Sequence, residues 1–232
     1  MTATASPSVI KQIQQALCIN TFQIVKVSPN RSNLKLSKLK RMGNNKGFEG
    51  YDAILKPIAE SLNSLRESFP MTIIYMRLAY CGYAYRRFCT LIKNHFVGGE
   101  KQVTKRLFTQ FHASSTKFMK EAILEEIKTN SSCIRVIFAT TALGMGVDAP
   151  FIRKVIHIRP PTEIEEYVQE IGRAGRDGSQ CEALLYYNNS DLSSPIISDD
   201  MRKYCEHQGC LREFILQHFG FESTKEEIIC CI

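Results

Sequence analysis

The sequence predicts a three-layer α/β/α sandwich on a mainly parallel sheet, and two observations carry that expectation. Short apolar runs alternate with helix-length amphipathic stretches, so successive strands have to be joined by crossovers. One of those runs ends in Ala139-Thr140-Thr141 and is followed by Gly144-Met145-Gly146. Small residues at the carboxyl end of a parallel strand are where an open α/β sheet admits a ligand.

The elements follow in order. Residues 6–17 read as an amphipathic helix, with Ser6 as N-cap, Pro7 in the first turn and Val9, Ile10, Ile13 and Leu17 on one stripe. Residues 22–27 and 34–36 read as strands, and 51–69 as a helix stopped by Pro70. A buried strand at 72–76 leads into a helix at 80–94. Further strands are expected at 107–111, 135–139, 154–158 and 182–187, with helices at 117–129 and 162–171 between them. A Ser/Asp-rich loop at 190–199 precedes a last helix, 200–218, outside the sheet. Tyr75, Tyr80, Tyr83 and Tyr85 have a spacing that fits core and helix-face packing better than base stacking.

Composition excludes several classes. The 44% hydrophobic content is that of a globular chain. The apolar stretch 136–147 is bounded by Arg135 and Asp148, short of a membrane span. The N-terminus has no charged-then-apolar leader pattern. Nine cysteines at irregular spacing suit a reducing compartment. The net charge of +7 is uneven: no acid precedes Glu49, but Lys11, Lys26, Arg31, Lys35, Lys38, Lys40, Arg41 and Lys46 do. That asymmetry fits a polyanion partner through counterion release, or equally a solvated linker kept soluble by lysines.

The most informative stretch is Gln169-Glu170-Ile171-Gly172-Arg173-Ala174-Gly175-Arg176-Asp177-Gly178. Two arginines three apart among small residues can reach a phosphate chain held by a facing surface. Guanidinium is planar, permanently charged and forks onto phosphate oxygens. An arginine delivered in this way is worth roughly 10³ to 10⁵ in nucleotide hydrolysis.

Together, Ala139-Thr140-Thr141, Gly144-Met145-Gly146-Val147-Asp148 and this decapeptide resemble motifs V and VI of the RecQ family of DNA helicases. DEAD-box RNA helicases are similar in fold, but their motif VI begins His-Arg, and Gln169-Glu170 favours RecQ. Met1-Thr2-Ala3-Thr4-Ala5 resembles the family's motif III, and Asn30-Arg31-Ser32-Asn33 resembles its Asn-Arg-x-Asn segment. Residues 72–76 are similar to the motif IV strand, and Phe111-His112-Ala113 to the family's aromatic-His-Ala segment. Residues 204–220, with Cys210-Leu211-Arg212, resemble the start of the zinc-binding subdomain.

The resemblance implies a RecA-like second motor domain over residues 28–193, preceded by the tail of a first motor domain (1–27) and followed by part of the zinc-binding subdomain (194–232). It implies a nuclear, ATP- and Mg²⁺-dependent helicase moving 3′ to 5′ on single-stranded or forked DNA. Arg176 is then the finger, Arg173 its partner on nucleotide or a bridging acid, and Gln169 a nucleotide sensor. Asp148 beside Gly146 is a ribose or Arg173 contact, or else a cap of the turn before Pro150. Thr140, Thr141, Gly144, Arg31 and His112 fall on the nucleic-acid track, with a cap or core role open for His112. Leu143 stands where the family usually has Phe, removing a stacking ring. Cys210, Cys230 and Cys231 resemble early zinc ligands, with Cys205 nearby.

No Gly-x-x-x-x-Gly-Lys-Ser/Thr and no Asp-Glu-x-His occur in the 232 residues. The phosphate-cradling half of an ATP site is therefore expected on a first motor domain, with this chain inactive alone. Opening at a motif III and ending within a zinc site, it reads as a partial gene model. The competing reading is a truncated paralogue that only binds nucleic acid or a protein partner.

Overall fold

Six apolar runs pair side by side into one sheet, in the order β1-β6-β5-β2-β4-β3, and every pairing is parallel. The strands are β1 (Leu34–Lys40), β2 (Thr72–Tyr75), β3 (Phe108–Phe111), β4 (Val136–Ala139), β5 (Lys154–His157) and β6 (Cys181–Tyr187). The computed structural model describes residues 5–18, 21, 23–42, 47–99, 101–144 and 149–222. β2 and β4 are buried at every position, as a parallel sheet covered on both faces requires. Register is set at the centre, where Ile73 lies opposite both Ile137 and Val155.

The side chains alternate between two cores. On one face Ile73, Tyr75, Ile137 and Val155 meet α4 (Lys117–Glu126), α5 (Ile164–Ile171), α7 (Asp199–Glu206) and α8 (Leu211–His218). On the other face Ile74, Phe108, Phe138 and Ile156 meet α2 (Glu49–Leu65) and α3 (Leu78–Leu91). A short α6 (Asn189–Leu192) follows β6. This is the three-layer arrangement expected. The tyrosines of α3 sit in ring clusters: Tyr83 stacks on Phe48 at 4.8 Å and Tyr85 meets Phe108 edge-on at 5.3 Å.

Two expected elements differ. Residues 23–27 are not a strand; Val25 and Val27 are each 85% exposed, so the β-branched pattern is neither paired nor covered. The single helix expected at 200–218 is two, α7 and α8, broken around Gly209. Glycine disfavours helix. In addition, Lys38 Nζ from β1 donates to the carbonyls of Tyr204 (3.1 Å), Cys205 (2.6 Å) and His207 at the end of α7. Those carbonyls lack intrahelical partners, so an ammonium there stops the helix. Burial lowers the Lys38 pKa from its ordinary value.

The first helix, α1 (Pro7–Leu17), buries none of its residues, and Leu17 is 62% exposed. It is anchored at its start, where Ser6 is buried and hydrogen-bonds the Glu165 carboxylate of α5.

A buried ion cluster closes the β1–β6 side of the sheet. Asp191, fully buried, accepts from Arg41 Nη2 at 2.9 and 2.8 Å and from Arg159 Nε at 2.6 Å. It also completes a capping box with Asn188. Asp191→Ala would leave two arginines in the interior without their counter-ion. A loss of about 3–5 kcal/mol is expected, read as a fall in the urea midpoint at unchanged slope.

Candidate functional site

The carboxyl ends of β2, β4 and β5 open onto a pocket of about 300 Å³ whose walls include Tyr75, Arg77, Thr140, Thr141, Arg159 and Glu170. Thr140 leaves β4 and turns at once: its Oγ1 accepts from the Ala142 amide at 3.3 Å, starting the short helical turn Thr141–Gly144. Thr141 is exposed and lines the pocket. Leu143 is fully buried in the core. A ring placed there would face the interior if the turn keeps this geometry. His112 is half-buried after β3, and its amide donates to Ser115 Oγ at 3.2 Å. Gly146 and Asp148 lie outside the described residues.

Arg173 and Arg176 sit on a loop, residues 172–179, that leaves α5. Its backbone is held from three sides. Arg31 donates to the carbonyls of Gly172 (2.9 Å), Ala174 (2.9 Å) and Gly175 (2.5 Å). Asn33 Nδ2 donates to Gly175 O and Ser179 O, each at 2.8 Å. Arg153 grips Asp177 through both oxygens, at 3.2 and 2.6 Å, and Asp177 accepts from the Ser179 amide and hydroxyl. Thus Arg31, expected on the nucleic-acid track, turns inward onto the loop that carries the arginines.

The two arginines are placed unlike one another. Arg176 and Gln169 are exposed, whereas Arg173 is 3% exposed. Burial first and the Glu170 charge next push the Tyr75 hydroxyl well above its ordinary value, while the nearby Arg173 pulls it back. Glu170, also buried, is 2.7 Å from His157 Nε2 at the end of β5. The His157 ring stacks on Tyr75 at 5.0 Å and meets Tyr167 edge-on at 5.0 Å. Glu170 is therefore a buried anchor joining α5 to the sheet, and Arg173 stands among the same groups.

Adjacent glutamates on α5 titrate in opposite directions. Burial alone would raise Glu165, yet hydrogen bonds from Ser6 and His218 leave it below its ordinary value. Burial, then the Glu170 charge, raise Glu166.

The zinc ligands suggested by resemblance are not assembled among the described residues, where no group of three or more metal-binding side chains occurs. Cys205 is buried in the core, with its thiol pushed up to about 12 by burial. Cys210 caps α8, and Cys230 and Cys231 lie outside the described residues. No helix among those described is long and apolar enough to cross a membrane.

Residues 80–178 match the helicase conserved C-terminal domain family. The chain is 30% identical over 238 residues to the mouse ATP-dependent DNA helicase Q1, covering 94% of this chain and 32% of that protein. It is 30% identical over 235 residues to the ATP-dependent DNA helicase Q-like 5 of Arabidopsis thaliana, covering all of this chain and 23% of that protein. Over nearly all of its length the chain is similar to DNA helicases of the RecQ family. It spans between about a quarter and a third of the length of these two relatives. Its fold is similar to that of Saccharomyces cerevisiae Dbp5 bound to RNA and ADP BeF3, with a TM-score of 0.61 and 16% identity over 96% of this chain and 49% of that one.

Four residues of this chain were not singled out by sequence reasoning as site residues. Asn33 and Arg212 lay within quoted segments but carry no periodic signal of their own. His157 and Arg153 pair with acids 13 and 24 positions away, and only the fold brings them together.

Two glycines of the arginine loop separate close approach from backbone freedom. Gly175 has φ +58°, and a Cβ there would lie 2.6–2.7 Å from Cys181 Sγ, Ser179 O and Asn33 Nδ2. Gly178 has φ +83° but open space around it. Gly175→Ala is expected to cost about 3 kcal/mol or more, from strain and overpacking together, and Gly178→Ala about 1 kcal/mol, both by chemical denaturation.

The glutamates give a pH test. A carboxyl with a depressed folded pKa stabilises above its unfolded value and loses that as pH falls through the folded one; a raised one does the reverse. Glu165→Gln is expected to destabilise at pH 7, and Glu166→Gln to stabilise. Both differences should shrink toward zero as pH is taken well below the ordinary value of 4.5, followed by thermal melts across pH.

Proposed function

We propose that this chain supplies the arginine-finger half of an ATP site, and part of the single-stranded track, of a RecQ-type 3′-to-5′ DNA helicase. One observation carries the reading: Arg176 is exposed on a loop whose backbone is pinned by Arg31, Asn33 and the Arg153–Asp177 fork. A finger needs this combination of a solvent-facing guanidinium and a backbone that does not move when the charge arrives. Arg173, interior beside Tyr75 and Glu170, holds the loop's root against the sheet and carries nucleotide state toward the pocket at the strand ends. Gln169 is exposed one turn earlier on α5.

The phosphate cradle and the Mg²⁺ ligands belong to a first RecA-like motor domain, since the required motifs do not occur in these residues. Thr141 and Arg77, at the carboxyl edge of the sheet, offer a hydroxyl and a guanidinium to DNA phosphates, with Thr140 shaping the turn. Zinc, if held, would draw on Cys210 and on Cys230 and Cys231. Similarity to RecQ helicases supports nuclear work on DNA. The second reading, a paralogue that only binds nucleic acid, shares the pocket but not the need for a pinned arginine loop.

The test is ATP hydrolysis by this chain mixed with the first motor domain of a related helicase, with and without single-stranded DNA. Turnover is expected only in the mixture, falling by roughly 10³ or more in Arg176→Ala. A silent mixture, with salt-sensitive DNA binding retained, would favour the binding-only reading.

A further inference from the structure

We propose that Arg212 of α8 is a positioning residue for the arginine loop, acting through residues 30–34 as a strut. Arg212 is 4% exposed, and three hydrogen bonds from its guanidinium go to one short stretch of chain far away in sequence. Nη1 donates to Asn30 Oδ1 at 2.7 Å and to Arg31 O at 2.6 Å; Nη2 donates to Leu34 O at 2.6 Å. The same stretch passes the constraint on. Arg31, whose carbonyl Arg212 holds, and Asn33, next to the held Leu34, direct their side chains onto the carbonyls of Gly172, Ala174, Gly175 and Ser179. The path from α8 to the arginine loop thus has two hydrogen-bonded steps and no gap.

The geometry makes the strut rigid. A planar fork fixed to three acceptors leaves residues 30–34 little freedom to slide. α8 is itself seated by Leu211, Ile215 and Phe219 in the core. Anything that displaces α8, such as nucleic acid or a neighbouring segment bearing on it, is transmitted to the arginines, and loop displacement is felt at α8. That the loop acts on phosphate rests on the function proposed above; the strut does not, and its test needs no nucleotide.

The test is amide hydrogen exchange on the intact chain. Arg212→Gln removes the fork. Exchange at residues 30–34 and at the Gly175, Gly178 and Ser179 amides is expected to quicken by about tenfold or more, while the reference amides of β2 and β4 keep their rates. Arg31→Lys, which cuts the second step, should quicken the loop without loosening residues 211–218. Adding Arg212→Gln to Arg31→Lys should then change the loop little further, because the two steps act in series. If Arg212→Gln does not fold, Arg212→Lys, which keeps the charge and loses the fork, is read by the same comparison. Loop rates that stay unchanged while 211–218 loosens would overturn the proposal. So would loop and reference amides accelerating together, or fully additive effects in the double variant. A sound strut with no finger activity would instead separate this inference from the ATPase reading.

Discussion

Donation from cationic side chains, partly or wholly buried, to backbone carbonyls is the interaction on which this structure depends. Arg31 caps the carbonyls of the arginine loop, Arg212 those of the segment before β1, and Lys38 those at the end of α7. Arg202 does the same for Leu192 and Ser194, at 2.8 and 2.9 Å. Most of these carbonyls lie in the turns and segments that flank helices and strands, where regular ladder partners are fewer. A charged donor bonds such an oxygen more strongly than a neutral one. Long side chains also span the space between elements that apolar packing leaves open. The outcome is a sheet whose peripheral loops are held to it by guanidinium and ammonium groups.

The same chemistry explains why two arginines three residues apart have different fates. α5 ends at Ile171, and Gly172 and the positive φ of Gly175 turn the chain so that Arg173 falls back toward the sheet while Arg176 emerges. Inside, Arg173 has anionic company: Glu170 is buried and paired with His157, so a positive charge beside it is compensated. Outside, Arg176 sits on a backbone already fixed by Arg31, Asn33 and Asp177. One motif therefore contains both an anchor and a presented charge, and the spacing alone does not reveal which is which.

Legibility in the sequence followed locality. The buried strands at 72–76 and 135–139 were readable because a parallel strand is apolar on both faces, and their neighbours supplied turn signals. The decapeptide at 169–178 was readable because its residue types are unusual together. The strand expected at 22–27 is not formed over residues 23–27, because a β-branched pattern marks extended propensity and not a pairing partner. The 200–218 helix was read as one because the side chain that stops α7, Lys38, lies on β1. Arg31 was placed on the nucleic-acid track by resemblance, and its carbonyl acceptors were not legible because they lie 141 to 144 positions away.

This has a consequence for reading charge. Of the basic residues that precede Glu49, Arg31, Lys38 and Arg41 are committed to carbonyls or to Asp191. Lys11, Lys26, Lys35 and Lys40 are exposed, and they are distributed over α1, the following segment and edge strand β1. A basic half of a sequence is thus not a basic surface of the same size. What recommends the carboxyl edge of the sheet as a polyanion face is placement: Arg77 and Thr141 are exposed there at the ends of parallel strands, where the topology forces a crevice. Electrostatic attraction falls off over a Debye length of about 8 Å in physiological salt. Charges facing that crevice therefore select what binds there, whereas lysines scattered elsewhere mainly set solubility and encounter rate.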